Sequence, residues 1–219
     1  MTHDTITPDL LLQAYASGVF PMSEGREDDE LFWVDPEERG ILPLTSFHIP
    51  KSLAKVIRQE RYSITANTCF KTVVQSCAKP TRGRETTWIS ERIEALYSEL
   101  HRRGYAHSIE CWEAGNLVGG LYGVSLAGAF FGESMFSTAT NASKVSLVYL
   151  VARLIRGGYK LLDTQFITDH LKQFGALEIS RTEYRKRLHE ALTVENVRFD
   201  QLDDTVSGAT IMHLITQTS

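Results

Sequence analysis

Residues 129–165 read AFFGESMFSTATNASKVSLVYLVARLIRGGYKLLDTQ, and this stretch decides the fold. It opens on an apolar run, Ala129-Phe130-Phe131-Gly132, that closes on Glu133 and Ser134. It ends on a second run, Tyr159-Lys160-Leu161-Leu162, that closes on Asp163, Thr164 and Gln165. Both read as strands carrying polar groups at their ends. Between them, 141–156 reads as one helix with Leu147, Leu150, Val151 and Leu154 on one side. A strand–helix–strand unit of this length is a crossover, which places its two strands parallel in one sheet. Open sheets with helical crossovers bind ligands at the ends of such strands. Glu133, Asp163 and Gln165 are therefore candidates to meet there, two carboxylates and a carboxamide beside an apolar cleft.

Upstream, 108–136 reads as a meander of three strands, 108–113, 117–126 and 129–136. Gly119, Gly120 and Gly123 inside the second strand imply a bulge or a close approach by a ligand or backbone. Downstream come a helix at 168–174, a strand at 176–179 and a capping box, Ser180-Arg181-Thr182-Glu183, opening a helix to about Leu192. Toward the N-terminus, 8–18 reads as a helix from Pro8 to Gly18, and 23–30 as a mobile acidic loop. Ile41-Leu42-Pro43-Leu44 reads as an edge strand, where proline is tolerated. A helix from Pro50, a strand at 62–65 and helices at 68–78 and 90–103 fill the middle. The expected organisation is a small N-terminal domain at 1–45 and a catalytic domain at 46–219. Its tail, 193–219, has little helical signal and at most one strand, at 209–215.

The chain has 219 residues, 42% hydrophobic and 23% charged, an ordinary globular composition. It has no apolar run near the ~20 residues a membrane helix needs. Its N-terminus lacks the basic and apolar regions of a signal peptide. Cys69, Cys77 and Cys111 have no metal-ligand spacing, and no H-E-x-x-H motif occurs. These features point to a cytoplasmic protein with reduced thiols and no metal. Charge is uneven: residues 1–50 hold 2 basic and 10 acidic side chains, and 51–110 hold 11 and 6. The middle segment could meet a phosphate backbone or dock on the acidic N-terminal part. On the helix from Pro50, Lys51, Lys55 and Arg58 share one face, and Lys79, Arg82 and Arg84 follow in a basic loop.

A meander followed by helix, strand, helix and strand resembles the α/β (α+β) acyltransferase fold of the GCN5-related N-acetyltransferases. Function does not follow from fold. Enzymes of that class place a glycine-rich loop before the central helix, whose amides cradle the pyrophosphate of coenzyme A. Here the same place reads Ser137-Thr138-Ala139-Thr140-Asn141, without glycine. A CoA-dependent N-acetyltransferase is therefore the alternative reading.

Seven ordered motifs carry a closer resemblance. They are Ala14-Tyr15-x-x-Gly18-x-Phe20-Pro21, Thr87-Trp88-Ile89, His107-Ser108-Ile109-Glu110, and Val118-Gly119-Gly120-Leu121-Tyr122-Gly123-Val124. Phe131-Gly132-Glu133-Ser134-Met135-Phe136-Ser137, Asn141-Ala142-Ser143-Lys144 and Asp163-x-Gln165 complete the set. Together they resemble the leucyl/phenylalanyl-tRNA–protein transferases from about residue 10 to 192.

That resemblance implies transfer of a leucyl or phenylalanyl group, with methionyl as a further candidate. The donor is leucyl- or phenylalanyl-tRNA and the acceptor the α-amino group of a protein with N-terminal Arg or Lys. The product is marked for N-end-rule degradation. No cofactor is implied, and a monomer is expected. The resemblance assigns Asp163 and Gln165 as the catalytic pair, with Asp163 orienting the Gln165 amide. Glu133 would hold the incoming N-terminus or the donor's free amine. Leu121, Phe130, Leu147, Leu150, Leu154 and Leu162 would line a donor side-chain pocket, with Ser134 beside them. Trp33 and Trp88 would hold the terminal adenosine; Phe32 stands where many members carry another Trp. Thr164 stands where the family commonly has Cys, and strand alternation points it away from its two neighbours. A non-catalytic tRNA- or N-degron-binding module is the third reading, and the intact Glu133, Asp163 and Gln165 weigh against it.

Overall fold

The computed structural model describes residues 6–27, 30–80 and 85–217. In chain order these form α1 (Pro8–Ala16), β1 (Phe20–Met22), β2 (Phe32–Val34), β3 (Glu38–Ile41) and α2 (Lys51–Arg58). Then come β4 (Ser63–Ala66), α3 (Phe70–Ala78), α4 (Glu91–Arg102), β5 (Ala106–Glu113), β6 (Asn116–Leu126) and β7 (Ala129–Ser137). The last are α5 (Ala142–Arg156), β8 (Leu161–Gln165), α6 (Asp169–Lys172), β9 (Leu177–Ser180), α7 (Arg181–Leu192) and α8 (Gly208–Thr216).

The main sheet has the order β4-β5-β6-β7-β8-β3-β9, and β1 and β2 form a separate two-stranded ribbon. Pairing is antiparallel except between β7 and β8, the parallel pair expected from the crossover through α5. The fold is mixed α/β, with the expected meander as its centre. Side chains alternate across the sheet, as a pleated strand requires. Phe130 and Leu162 join one core with α5, α2 and α8. Phe131 and Leu161 join another with α1, α3, α4 and α7.

Two of the glycines in β6 explain how these layers fit. A Cβ on Gly119 would lie 2.6 Å from the Cβ of Ala142, so its absence lets the first turn of α5 sit on the sheet. A Cβ on Gly123 would lie 2.3 Å from the Phe131 carbonyl oxygen. There the β6–β7 register shifts: Tyr122 pairs with Ser134 and Gly123 with Gly132. Glu133 is the extra residue of a β-bulge, a device that re-aims a side chain. The glycines thus serve protein packing rather than a ligand's approach.

Several expectations are corrected. β3 lies between β8 and β9, not at an edge. It ends at Ile41, so Pro43 falls beyond the ladder and removes no bond from it. The tail forms α8 instead of a strand: Ser207 caps it by accepting from the Thr210 amide, and Ile211 and Ile215, one turn apart, are buried. Arg153 of α5 holds the segment before it, donating to the Leu202 carbonyl and pairing with Asp204 at 2.5 Å. Ser23 is buried and donates to the Trp88 carbonyl at 2.7 Å, so the acidic loop begins anchored. Only half of the capping box forms: Ser180 accepts from the Glu183 amide, while the Glu183 carboxylate takes Arg187. Among the described residues no helix is long and apolar enough to cross a membrane.

Candidate active site

β7 and β8 pair only as far as Phe131 and Asp163. β7 then runs on to Ser137, still paired with β6 on its other side, while β8 stops at Gln165. The gap between the two strands opens into a cleft of about 670 Å³. Leu121, Leu147, Leu150 and Leu162 form its apolar wall, and Met22, Trp88 and Phe166 also line it. Glu133, Ser134 and Gln165 face into it.

Glu133 is only 8% exposed. Its Oε1 accepts from the Tyr15 hydroxyl at 2.7 Å and from the Gln165 amide at 3.0 Å; its Oε2 accepts from the Tyr97 hydroxyl at 2.9 Å. All three donors are neutral. Burial raises the Glu133 pKa to about 7, against the lowering effect of these hydrogen bonds, and the charge of Asp163 adds to the rise. Burial also lifts both tyrosines well above their usual value, keeping them neutral donors.

Asp163 is fully buried and does not line the cleft. Arg39, 1% exposed, grips it with Nε to Oδ1 at 3.0 Å and Nη2 to Oδ2 at 2.6 Å. The Tyr184 hydroxyl donates to Oδ2 at 2.7 Å. Oδ1 also accepts from the backbone amide of Gln165 at 2.7 Å. Asp163 therefore touches the main chain of Gln165, and the Gln165 side-chain amide turns to Glu133. Gln165 adopts φ +62°, a left-handed conformation unusual for a residue with a Cβ. This ends β8 and breaks the strict alternation of its side chains. Thr164 consequently lines the cleft together with Gln165.

The remaining expected residues divide. Phe130 and Leu154 are fully buried in the α5-side core and do not line the cleft. Trp33 is 40% exposed on the β1–β2 ribbon, also outside the cleft wall. Lys51, Lys55 and Arg58 lie exposed along α2, and Lys79 is exposed after α3; Arg82 and Arg84 lie outside the described residues. The amides around the start of α5 are used internally: Ala142 donates to the Ala139 carbonyl, Ser143 to the Ser137 hydroxyl and Val145 to the Asn141 carbonyl. That leaves a poor cradle for a pyrophosphate.

Sequence reasoning missed Arg39, Tyr97 and Tyr184. Arg39 had one signal: it is one of only two basic residues in the first 50, set among 10 acidic ones. Tyr97 and Tyr184 had none, since each reads as an apolar-face residue of its helix. Thr164 Oγ1 and His170 Nε2 were missed as well; both are buried in the cleft wall without a hydrogen-bond partner among the described residues.

Comparison with known proteins gives a consistent result. A family model described as leucyl/phenylalanyl-tRNA protein transferase matches residues 41–189, and the model of that family's N-terminal domain matches 4–37. A leucyl/phenylalanyl-tRNA–protein transferase from Maricaulis maris is 58% identical over 209 residues, covering 95% of this chain and 96% of that protein. One of the same name from Caulobacter vibrioides is 56% identical over 216 residues, 99% of each. A solved structure of L-PGS from Bacillus licheniformis is distantly similar, with a TM-score of 0.41 and 14% identity over 75% of this chain and 55% of that one.

Proposed function

Since the chain belongs to the leucyl/phenylalanyl-tRNA–protein transferase family, an aminoacyltransferase acting between aminoacyl-tRNA and protein, we propose a division of labour within its cleft. The donor's leucyl or phenylalanyl side chain, or a methionyl one, lies against Leu121, Leu147, Leu150 and Leu162. The terminal adenine stacks on Trp88. The acceptor is a protein beginning with Arg or Lys, and its α-ammonium group docks at Glu133. Gln165 holds the attacking nitrogen or the ester carbonyl, and Asp163 sets Gln165 from behind.

One observation carries this reading: Glu133 is a buried carboxylate whose partners are all neutral, facing an apolar cleft beside a carboxamide. A buried charge is stabilised by an opposite one. An incoming ammonium supplies it, whereas Asp163 already has Arg39. The two carboxylates therefore differ in role because they differ in partners.

The reaction forms the amide C–N bond and breaks the ester bond to the terminal ribose. The amine loses a proton and the ribose oxygen gains one. The ester is already activated, so holding the two reactants together supplies much of the rate. A free α-ammonium titrates near ~8. A Glu133 carboxyl with a pKa of about 7 is close enough to take its proton without trapping it. A carboxamide is far too weak a base for that step.

On this reading the enzyme works as a cytoplasmic monomer, marks its acceptors for N-end-rule degradation and takes no cofactor. The decisive assay combines purified protein, leucyl-tRNA and labelled peptides beginning with Arg, Lys or Ala. Transfer to the first two alone, without CoA or ATP, is expected. Equal transfer to all three would remove the acceptor assignment, and acetyl transfer from acetyl-CoA in its place would restore the alternative.

A further inference from the structure

The carboxylate of Asp163 has no capacity left for a substrate. Its two oxygens receive Arg39 Nε, Arg39 Nη2, the Tyr184 hydroxyl and the Gln165 backbone amide. Arg39 is just as fully engaged. Its Nη1 donates to the Gly18 carbonyl at 3.0 Å. Its guanidinium carbon sits 4.5 Å from the Phe20 ring centroid and 4.4 Å from that of Tyr184, so aromatic rings pack against the cation.

We propose that Arg39 is a positioning residue of the transfer reaction: it fixes Asp163, which fixes the left-handed turn at Gln165, which aims the Gln165 amide at Glu133 and the reacting atoms. This rests on the reading that Gln165 serves the reaction.

The physical argument runs along that chain of contacts. A non-glycine residue in the left-handed region is held against a steric cost, because its Cβ crowds the backbone. The bond from its amide to Asp163 Oδ1 offsets this, because the oxygen must stand within 2.7 Å of that amide. A lone carboxylate at the end of β8 would be free to rotate or to take up water. The planar fork of Arg39 removes that freedom by engaging both oxygens at once. Lysine can supply the charge and not the fork. The same guanidinium ties in Gly18 and Phe20, the entry to the ribbon that carries Trp33.

The test is steady-state kinetics with leucyl-tRNA and an Arg-initiated peptide varied separately. In Arg39→Ala, kcat is expected to fall about 100-fold, the scale of a small misplacement of reacting groups, with little change in either KM. Methylguanidinium at millimolar concentration, well below denaturing levels, should restore kcat in a saturable way; methylammonium should not. Arg39→Lys should stay well below wild type. Should Arg39→Ala fail to fold, Tyr184→Phe takes its place: it removes one bond to Asp163, keeps the ion pair, and should lower kcat with both KM values retained. Wild-type kcat in folded Arg39→Lys and Tyr184→Phe, or a loss confined to KM, overturns the proposal. Gln165→Ala separates the two levels. If it is fully active, the reading of the site has failed. If it is impaired while the Arg39 and Tyr184 variants are not, only the present inference has failed.

Discussion

The side-chain amide of Gln165 donates to Oε1 of Glu133 at 3.0 Å, across the gap where β7 and β8 have stopped pairing. Each partner owes its position to a local irregularity: Glu133 is the extra residue of a bulge, and Gln165 is left-handed. Neither side chain would point as it does on a regular strand. Changing either residue should therefore alter chemistry at the other.

Glu133→Gln tests the carboxylate's charge. The folded-state pKa of Glu133 is raised, to about 7, above its ordinary value of 4.5. Between those values the folded state holds a proton that the unfolded chain has released. Wild-type stability therefore falls relative to Glu133→Gln as pH rises from 4.5 to 7, by on the order of 3 kcal/mol. Urea melts at pH 5 and pH 8 measure this, and a pH-independent difference would disprove it. Activity has the opposite trend: kcat/KM of wild type should climb through pH 7 as Glu133 ionises, and Glu133→Gln should be slow throughout.

Asp163→Asn and Gln165→Ala should each lower kcat, with the double variant little worse than the worse single one, because the two residues act as one hydrogen-bonded unit. Their stabilities should differ. Asp163→Asn leaves the buried Arg39 without its anion, a loss of about 3–5 kcal/mol. Gln165→Ala should lose far less. Additive losses in kcat, or equal melting points, would contradict this account.

Gln165→Glu separates orientation from proton removal. If the amide only orients the reactants, the new carboxylate meets Glu133 at close range and activity falls. A fully active enzyme with a new acidic limb in its pH profile would assign the proton to this position.

Trp88→Ala should raise KM for leucyl-tRNA more than KM for the peptide, by an amount corresponding to ~1–3 kcal/mol of base stacking. Trp33→Ala, outside the cleft wall, should have the smaller effect. The reverse order would move the adenine to the ribbon.

Replacing Lys51, Lys55 and Arg58 together by Ala should weaken tRNA binding and flatten its salt dependence. Each true phosphate contact contributes about 0.7–0.9 to the slope of log K against log salt. An unchanged slope assigns this exposed face of α2 to solvent.

The crossover, the meander and the capped helices were legible in the sequence because each rests on local periodicity. Apolar runs of strand length around one amphipathic helix leave little choice of topology. Three motif residues, Glu133 and Gln165 at the cleft and Asp163 buried behind it, were also legible as polar groups at strand ends. Their partners were not. The expected link from Asp163 to the Gln165 side chain goes instead to its main chain, and Arg39 arrives from 124 positions away in sequence. Nor could local pattern place β3 between β8 and β9, since a four-residue strand can add at any open edge. In the tail, Ile211-Met212-His213-Leu214-Ile215 suits either a helix or a strand, and packing on α2 and α5 selected the helix. Sequence determined the crossover and the meander and marked Glu133, Asp163 and Gln165 as polar groups at strand ends. Tertiary structure decided which carboxylate pairs with a cation and which meets only neutral donors, because a buried charge takes its character from whichever partner the fold brings within hydrogen-bond distance.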